Sequence, residues 1–352
     1  MKKINFNKKI NINDPSKIVC AFHTLNIGDS VVFSASIKNL INIYGKNLYI
    51  VCAKNGYNVL KGLLPEENYF IYNPKNILDY IKLIFKLRKK SFDVIFDFHN
   101  SFFGIKVYFL PILISLRKTF RLGYITEYYK GFMLHSQKKW IPVEKHEVDA
   151  YLDLLVYNGL PIKNKKLYVY LDKAFEKDFC EKSERLKIIL HPCCANKCKL
   201  WAKERFAEIA QWFVKEYKAE VYFTGMKQEQ DIVKEIFECI TDKTDIYDFC
   251  GKFGFHEFAV FLNKVDLLVS IDTSVVHLAS ATLTNTVAIF GPTSDIVWRP
   301  YNKENQILLH SNRPCYPCDV GFIRKGCNDF KCLKDITVEQ VKEAVLILLK
   351  NN

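Results

Sequence analysis

The residues best suited to chemistry stand where apolar, strand-like runs give way to polar turns. DLLVSID (266–272) is one such run, and it opens directly into SVVHLAS (274–280), whose apolar residues have helical spacing. Asp272, Thr273 and Ser274 therefore stand at a strand-to-helix turn, where backbone N–H groups and the helix dipole suit a diphosphate. The same residue types also make an ordinary helix N-cap. His277 lies one turn further on, in reach of a ligand or packed in the core. Lys199 follows the strand end His191-Pro192 and is either a cation for a phosphate or a solvated surface charge. Gly225 closes the strand EVYFTG, and Glu229 lies four residues on, placed for ribose hydroxyls or for a helix's first turn. Gly251-Lys252-Phe253-Gly254 brings the Phe253 ring to a loop where it could pack on an adenine. Phe290-Gly291-Pro292-Thr293 ends another strand in a tight turn. In the first half of the chain Gly28-Asp29 follows the strand KIVCAFH, and Asp29 reads as a general base or as the N-cap of the helix after it.

Cysteine is abundant, at 12 residues, but the chain is long and has no secretory signal, so a disulfide framework is not expected. Cys20, Cys52, Cys239 and Cys250 lie in or beside apolar segments and read as buried thiols. Cys315, Cys318, Cys327 and Cys332 fall within 18 residues and are a candidate zinc set. Their spacing is irregular for the common zinc modules, and reduced thiols or a local disulfide are the readings set against zinc.

The elements that position these residues alternate between strand and helix. KIVCAFH (17–23), LYIVCA (48–53) and FDVIFDF (92–98) are strand-like, with helices expected over 30–43, 76–90 and 146–160. The rhythm restarts at KIILHP (187–192) and continues to NTVAIFGP (285–292). Repeated βαβ units predict an α/β fold with parallel sheets covered on both faces. The expected organisation is a Rossmann-like domain over 1–165, a linker over 166–186 holding a short strand KLYVYL, and a second Rossmann-like domain over 187–352 that includes the Cys-rich segment 315–332. Ligands in such sheets bind at the carboxyl ends of strands, where all the residues above lie.

The chain of 352 residues, 49% hydrophobic and 25% charged, is long enough for two cores and too apolar for disorder. The longest oily run, Phe102 to Leu116, is broken by Lys106 and Pro111, so a transmembrane helix is not expected and the reading is cytoplasmic. Residues 1–175 carry 27 Lys and Arg against 13 Asp and Glu, whereas residues 176–352 carry 24 against 25. The net charge of +13 thus belongs to the first half, which favours a polyanionic partner: nucleic acid, an anionic membrane surface or a phosphorylated substrate. A Lys-rich surface without a partner is the bland alternative.

Taken together these features resemble glycosyltransferase family 9, the ADP-heptose:lipopolysaccharide heptosyltransferases. The likeness is strongest over LLVSIDTSVVHLASATLTNTVAIFGPTSDIVWRPY (267–301), and it extends to Lys199-Leu200-Trp201, Arg205-Phe206, Phe223-Thr224-Gly225 through Glu229, Arg121-Leu122-Gly123-Tyr124, His146-Glu147-Val148 and the Cys-rich tail. The resemblance implies a GT-B architecture, two Rossmann-like domains facing across a cleft, and inverting sugar transfer that needs no metal or other cofactor. It implies Asp29 as general base, and Lys199, Glu229, Phe253, Asp272, Thr273, Ser274 and His277 as donor-binding residues. ADP-heptose is the implied donor and an anionic glycolipid, the lipid A–core, the acceptor, reached by peripheral contact with the cytoplasmic face of the inner membrane. Three positions depart from the family pattern: Ala35 stands for Pro, Ser274 for Gly, and Cys193 for the Gly of a Pro-Gly element. The last two lie near the donor and leave open another nucleotide sugar. Competing classes are less well served. A nucleic-acid binder would show a helix-turn-helix, zinc-finger or RNA-recognition signature, and a dehydrogenase or P-loop enzyme its Gly-rich loop; none of these occurs. A family member without catalysis is opposed by the presence of Asp29, Lys199, Glu229 and Asp272.

Overall fold

The computed structural model describes residues 11–22, 26–73, 75–99, 113–114, 119–125, 136–139, 145–176, 185–318, 327 and 329–350. The chain divides into two compact units, Met1–Tyr170 and Leu171–Asn352. Each is built on a six-stranded sheet, and every strand pair is parallel.

In the first unit the strands are β1 (Val19–Phe22), β2 (Leu48–Cys52), β3 (Tyr69–Ile71), β4 (Val94–Asp97), β5 (Phe120–Ile125) and β6 (Ser136–Lys139). Their spatial order is β3-β2-β1-β4-β5-β6. The central strands have no polar face: all four residues of β1 and of β4 are buried, as a sheet covered on both sides requires. Helices α1 (Ile27–Tyr44), α2 (Lys54–Leu60), α3 (Ile77–Lys90) and α4 (Glu147–Tyr157) supply the cover. α1 is buried along most of its length and is held by polar contacts. Asn39 Nδ2 donates to the carbonyls of Ala35 and Asn164, while its Oδ1 accepts from Lys163 N at 2.7 Å.

The segment KLYVYL, expected as a short strand in the linker, joins no sheet. Its N–H groups go elsewhere: Tyr168 N donates to Ser34 Oγ of α1 and Tyr170 N to the Val59 carbonyl. Leu167 and Val169 alternate inward and are buried, so the segment is a strap over the first unit.

The second unit repeats the order. β7 (Lys187–His191), β8 (Glu220–Phe223), β9 (Ile246–Asp248), β10 (Leu267–Ile271), β11 (Asn285–Phe290) and β12 (Gln306–His310) lie as β12-β11-β10-β7-β8-β9. Numbered within the unit, this is again 3-2-1-4-5-6 read from the other edge, the doubly wound Rossmann topology. α5 (Lys203–Tyr217), α6 (Gln230–Cys239), α7 (Phe255–Leu262), α8 (Ser274–Thr282), α9 (Asp295–Trp298), α10 (Lys331–Lys334) and α11 (Val338–Lys350) accompany it. The C-terminal elements are tied down from α5. Trp201 Nε1 donates to the Ile336 carbonyl, and Arg205 donates to the carbonyls of Leu333, Lys334 and Ile336 at the end of α10.

In a doubly wound sheet the strand order reverses at one point, and the carboxyl ends of the two central strands diverge there to leave a crevice. These points lie between β1 and β4, where Phe22 pairs with Asp97, and between β7 and β10, where His191 pairs with Ser270.

Candidate functional site

In the second unit the switch point brings together residues far apart in sequence. After β7 the chain makes a 3-10 turn, Lys197–Lys199, begun by Asn196, whose side chain accepts from Cys198 N. This presents Lys199 to the end of β10, where its Nζ lies 2.5 Å from Asp272 Oδ2. Asp272 is 5% exposed, so the carboxylate is nearly dry and the ammonium is its charge partner. Thr273 takes the capping position: its Oγ1 accepts from Val275 N at 3.2 Å and starts α8. Asp272 is thus freed from the capping role that Asp-Thr-Ser also suggests. Thr273 and Ser274 are half-buried, and His277 is buried inside α8 with its ring 6.1 Å from that of Trp298.

Neighbouring strand ends complete the surroundings. Glu229 is buried, and its Oε2 accepts from Met226 N at 2.8 Å, closing the turn after β8. Of its two sequence readings, the helix-start role is therefore in place. Gly225 is required by close approach: a Cβ there would lie 2.8 Å from Cys193 Sγ and 2.9 Å from Cys250 Sγ. Those two thiols pack against each other. The Cys250 sulfur, with burial, pushes the Cys193 thiol far up and keeps it protonated. Cys193, the departure from the family's Pro-Gly, is thus a packing residue beneath the loop. Gly251 has φ +74°, and a side chain there would meet the Lys227 backbone at 2.8 Å. Phe253 is half-buried, in ring contact with Phe249 at 5.3 Å and Phe261 at 5.0 Å. His191 donates or accepts at Thr224 Oγ1, 3.0 Å away, and burial pushes its pKa down to about 4, so the ring is neutral near pH 7.

The Cys-rich segment makes its own contacts here. Cys318 N donates to the Pro292 carbonyl in the tight turn after β11, and Tyr316 Oη accepts from Asp295 N. Among the described residues, no three His, Cys, Asp or Glu side chains gather as a metal site. Cys315, Cys318, Cys327 and Cys332 form no disulfide, and Cys332 lies within electrostatic reach of the other three sulfurs.

In the first unit Asp29 is the third residue of α1, not its N-cap, which is Asn26. Its carboxylate accepts from the backbone N–H groups of Asn26 and of Asp29 itself, as a capping-box acid does. Burial outweighs those bonds and pushes its pKa up to about 6. A carboxylate poised there is a more effective proton acceptor near neutral pH than an ordinary aspartate. At the end of the adjoining β4 sits a pair that the sequence reading did not single out. His99 Nδ1 lies 2.7 Å from Asp97 Oδ1, and both side chains are buried. The carboxylate fixes the proton on Nδ1, and the ring lies 4.6 Å from that of Phe22. The only signal in the sequence is Asp-Phe-His at a strand's end, two residue types with strong chemistry at period two.

A family model described as glycosyltransferase family 9 (heptosyltransferase) matches residues 80–325, most of the chain. The chain belongs to glycosyltransferase family 9. Lipooligosaccharide heptosyltransferase 2 of Campylobacter jejuni is 26% identical over 334 residues, covering 93% of this chain and 96% of that protein. The family 9 glycosyltransferase structure from Veillonella parvula superposes with a TM-score of 0.79 at 19% identity, over 97% of this chain and 99% of its own. The Escherichia coli ADP-heptose lps heptosyltransferase II structure gives 0.73 at 19%, over 95% and 98%. The fold is therefore the GT-B class of tandem Rossmann-like units, and the protein is a glycosyltransferase. In the second unit the strand ends gather a cation, a capped helix N-terminus and two buried acids; in the first, the start of α1 holds a carboxyl with a raised pKa.

Proposed function

We propose that this glycosyltransferase moves heptose from ADP-heptose onto a lipopolysaccharide core acceptor, with inversion at the anomeric carbon and without a required metal. The observation that carries the reading is the Lys199–Asp272 pair at the β7/β10 switch point, beside the Thr273-capped start of α8. It supports a diphosphate site because an ammonium already held in place loses little freedom when an anion arrives. Relatives named as heptosyltransferases, one of them for ADP-heptose, support the donor and the acceptor class.

In this scheme the acceptor hydroxyl oxygen attacks the anomeric carbon of the donor and gives its proton to Asp29. The bond from that carbon to the diphosphate oxygen breaks, and ADP leaves with both electrons of the bond. Lys199 and the N-terminus of α8 offset the charge that grows on the leaving oxygens. Asp272 keeps Lys199 oriented, and Glu229 and Phe253 frame the nucleoside. His277, buried in α8, holds the helix against Trp298. The Asp97–His99 pair is assigned to the acceptor side as a hydrogen-bonding group, since it ends the strand beside the Asp29 loop. The acceptor is anionic and membrane-embedded in this reading, and transfer takes place at the cytoplasmic membrane face. No nucleic acid takes part.

A panel of ADP-, UDP- and GDP-sugars tests it by thermal shift and by product formation with a core oligosaccharide acceptor. ADP-heptose should be the stabilising donor and should yield heptosylated product. Stabilisation and turnover with a UDP- or GDP-sugar instead would replace the donor, and indifference to every nucleotide sugar would overturn the reading.

A further inference from the structure

Helix α3 buries one side and leaves an apolar strip on the other. Tyr80, Leu83 and Leu87 pack into a cluster with Cys20, Phe22, Val51 and Ile95. Ile77, Leu78, Ile81 and Phe85 point outward, with Leu78 65% and Phe85 64% exposed, and Ile71 at the end of β3 is exposed as well. At 100° per residue these four occupy one arc of the helix, and Lys82, Lys86 and Lys89, all exposed, occupy the next. Asp79 is the helix's one acid, and its Oδ2 is engaged by Asn73 N at 2.9 Å. An exposed apolar strip bordered by lysines on an otherwise folded unit needs a partner that is apolar beneath and anionic at its surface.

We propose that this face of α3 is where the protein docks on an anionic lipid bilayer, with Leu78 and Phe85 entering the headgroup boundary and the lysines meeting lipid phosphates. The inference deepens the proposed function and rests on it for the identity of the membrane-bound acceptor. Three observations favour lipid over other occupants. The first unit carries the whole net positive charge, so the surroundings of α3 attract an anionic surface. A second copy of the chain would bring one lysine row against another, which opposes self-association through this face. The topology also orients the helix. α3 runs from β3 back to the start of β4, so Ile71, Ile77 and Leu78 lie toward the carboxyl edge of the sheet, where Asp29 and His99 also lie. Docking there would bring the acceptor-side residues to the membrane surface.

The test uses the full chain and sedimentation with vesicles of phosphatidylcholine, alone or with about one-third phosphatidylglycerol. The unsubstituted chain should bind the anionic vesicles preferentially. Leu78→Gln with Phe85→Gln should weaken that binding about tenfold or more, and Lys82→Gln with Lys86→Gln and Lys89→Gln should remove the preference for anionic lipid. All five residues are exposed, so an unchanged Tm checks that the fold persists. Both variants should still transfer sugar to a water-soluble core oligosaccharide at the normal rate. Vesicle binding that ignores both variants would overturn the docking face, as would an L78Q/F85Q variant that turns a stable dimer into a monomer. A chain that binds vesicles through α3 and transfers no sugar would overturn the proposed function and leave the docking face standing.

Discussion

At the scale of single residues, Asp29 carries the sharpest expectation. Its pKa of about 6 makes the proton-accepting form scarce in acid, so kcat/KM should rise with pH through about 6 and level off above it. Asp29→Asn should lower transfer by about 10²–10⁴-fold and leave donor affinity, measured by calorimetry, nearly unchanged. The sign of the stability effect is opposite. A carboxyl raised from 3.8 costs the fold nothing while it is protonated in both states, and its penalty builds as pH rises from 3.8 to about 6 and is complete above that. The Asn variant should therefore have a higher Tm than the parent at pH 8 and an equal one near pH 3, below the unfolded value of 3.8, and a lower Tm at pH 8 would mean the capping bonds outweigh burial. The Lys199–Asp272 pair makes a second prediction. Lys199→Met leaves a buried carboxylate without its partner and facing the donor phosphates, so donor binding should weaken more than in Asp272→Asn. A double-mutant cycle on Tm-derived stabilities should return a coupling of about 1–3 kcal/mol, and additivity would show that the two groups act separately.

Elements are where the family's sequence landmarks acquire physical meaning. Trp201 and Arg205, which in the sequence carry part of the family resemblance, hold the C-terminal segment: three carbonyls at the end of α10 are satisfied by one guanidinium. Arg205→Ala should lower Tm by several degrees, from the loss of roughly 1–3 kcal/mol of charge-assisted bonds, while donor affinity stays within about twofold. A large loss of donor binding at unchanged Tm would instead make Arg205 a donor-site residue. The loops after β8 and β9 show a related economy. Gly225 and the two thiols beneath it let the turn carrying Glu229 lie close to the sheet, a role that no single one of these residues reveals in isolation.

For the whole molecule, charge decides the environment. The first half carries 27 Lys and Arg against 13 Asp and Glu, and an exposed field of that kind is screened over about 10 Å at 0.1 M salt. Binding of the full chain to anionic vesicles should fall steeply as salt rises to a few tenths molar, with a residue of apolar attachment through α3. Binding indifferent to salt would mean that the charge asymmetry is a property of the surface with no part in docking. Among the described residues no helix is long and apolar enough to cross a membrane. The oily run over 102–116 lies outside the described residues except for 113–114.

Features that depend on near neighbours are legible in the linear pattern. Strand periodicity, Gly and Pro at turns, and the strand-end positions of Asp272, Gly225 and Gly28 are local, so β1, β4, β7, β10 and their helices fall close to where the patterns place them. Short edge strands escaped: β3 and β9 have three residues each, too few for alternation to register. KLYVYL alternated as a strand does, yet its N–H groups found Ser34 and Val59 instead of a neighbouring strand, a choice that no local pattern records. Tertiary structure alone decided the pairings. Lys199 and Asp272 are 73 residues apart and meet because β7 and β10 flank one switch point. Asp97 and His99 are neighbours in sequence, yet only burial beside Phe22 joins them as a pair, and only the packing of α1 lifts the Asp29 pKa. Desolvation and long-range contact are properties of the folded core, and a linear pattern carries neither.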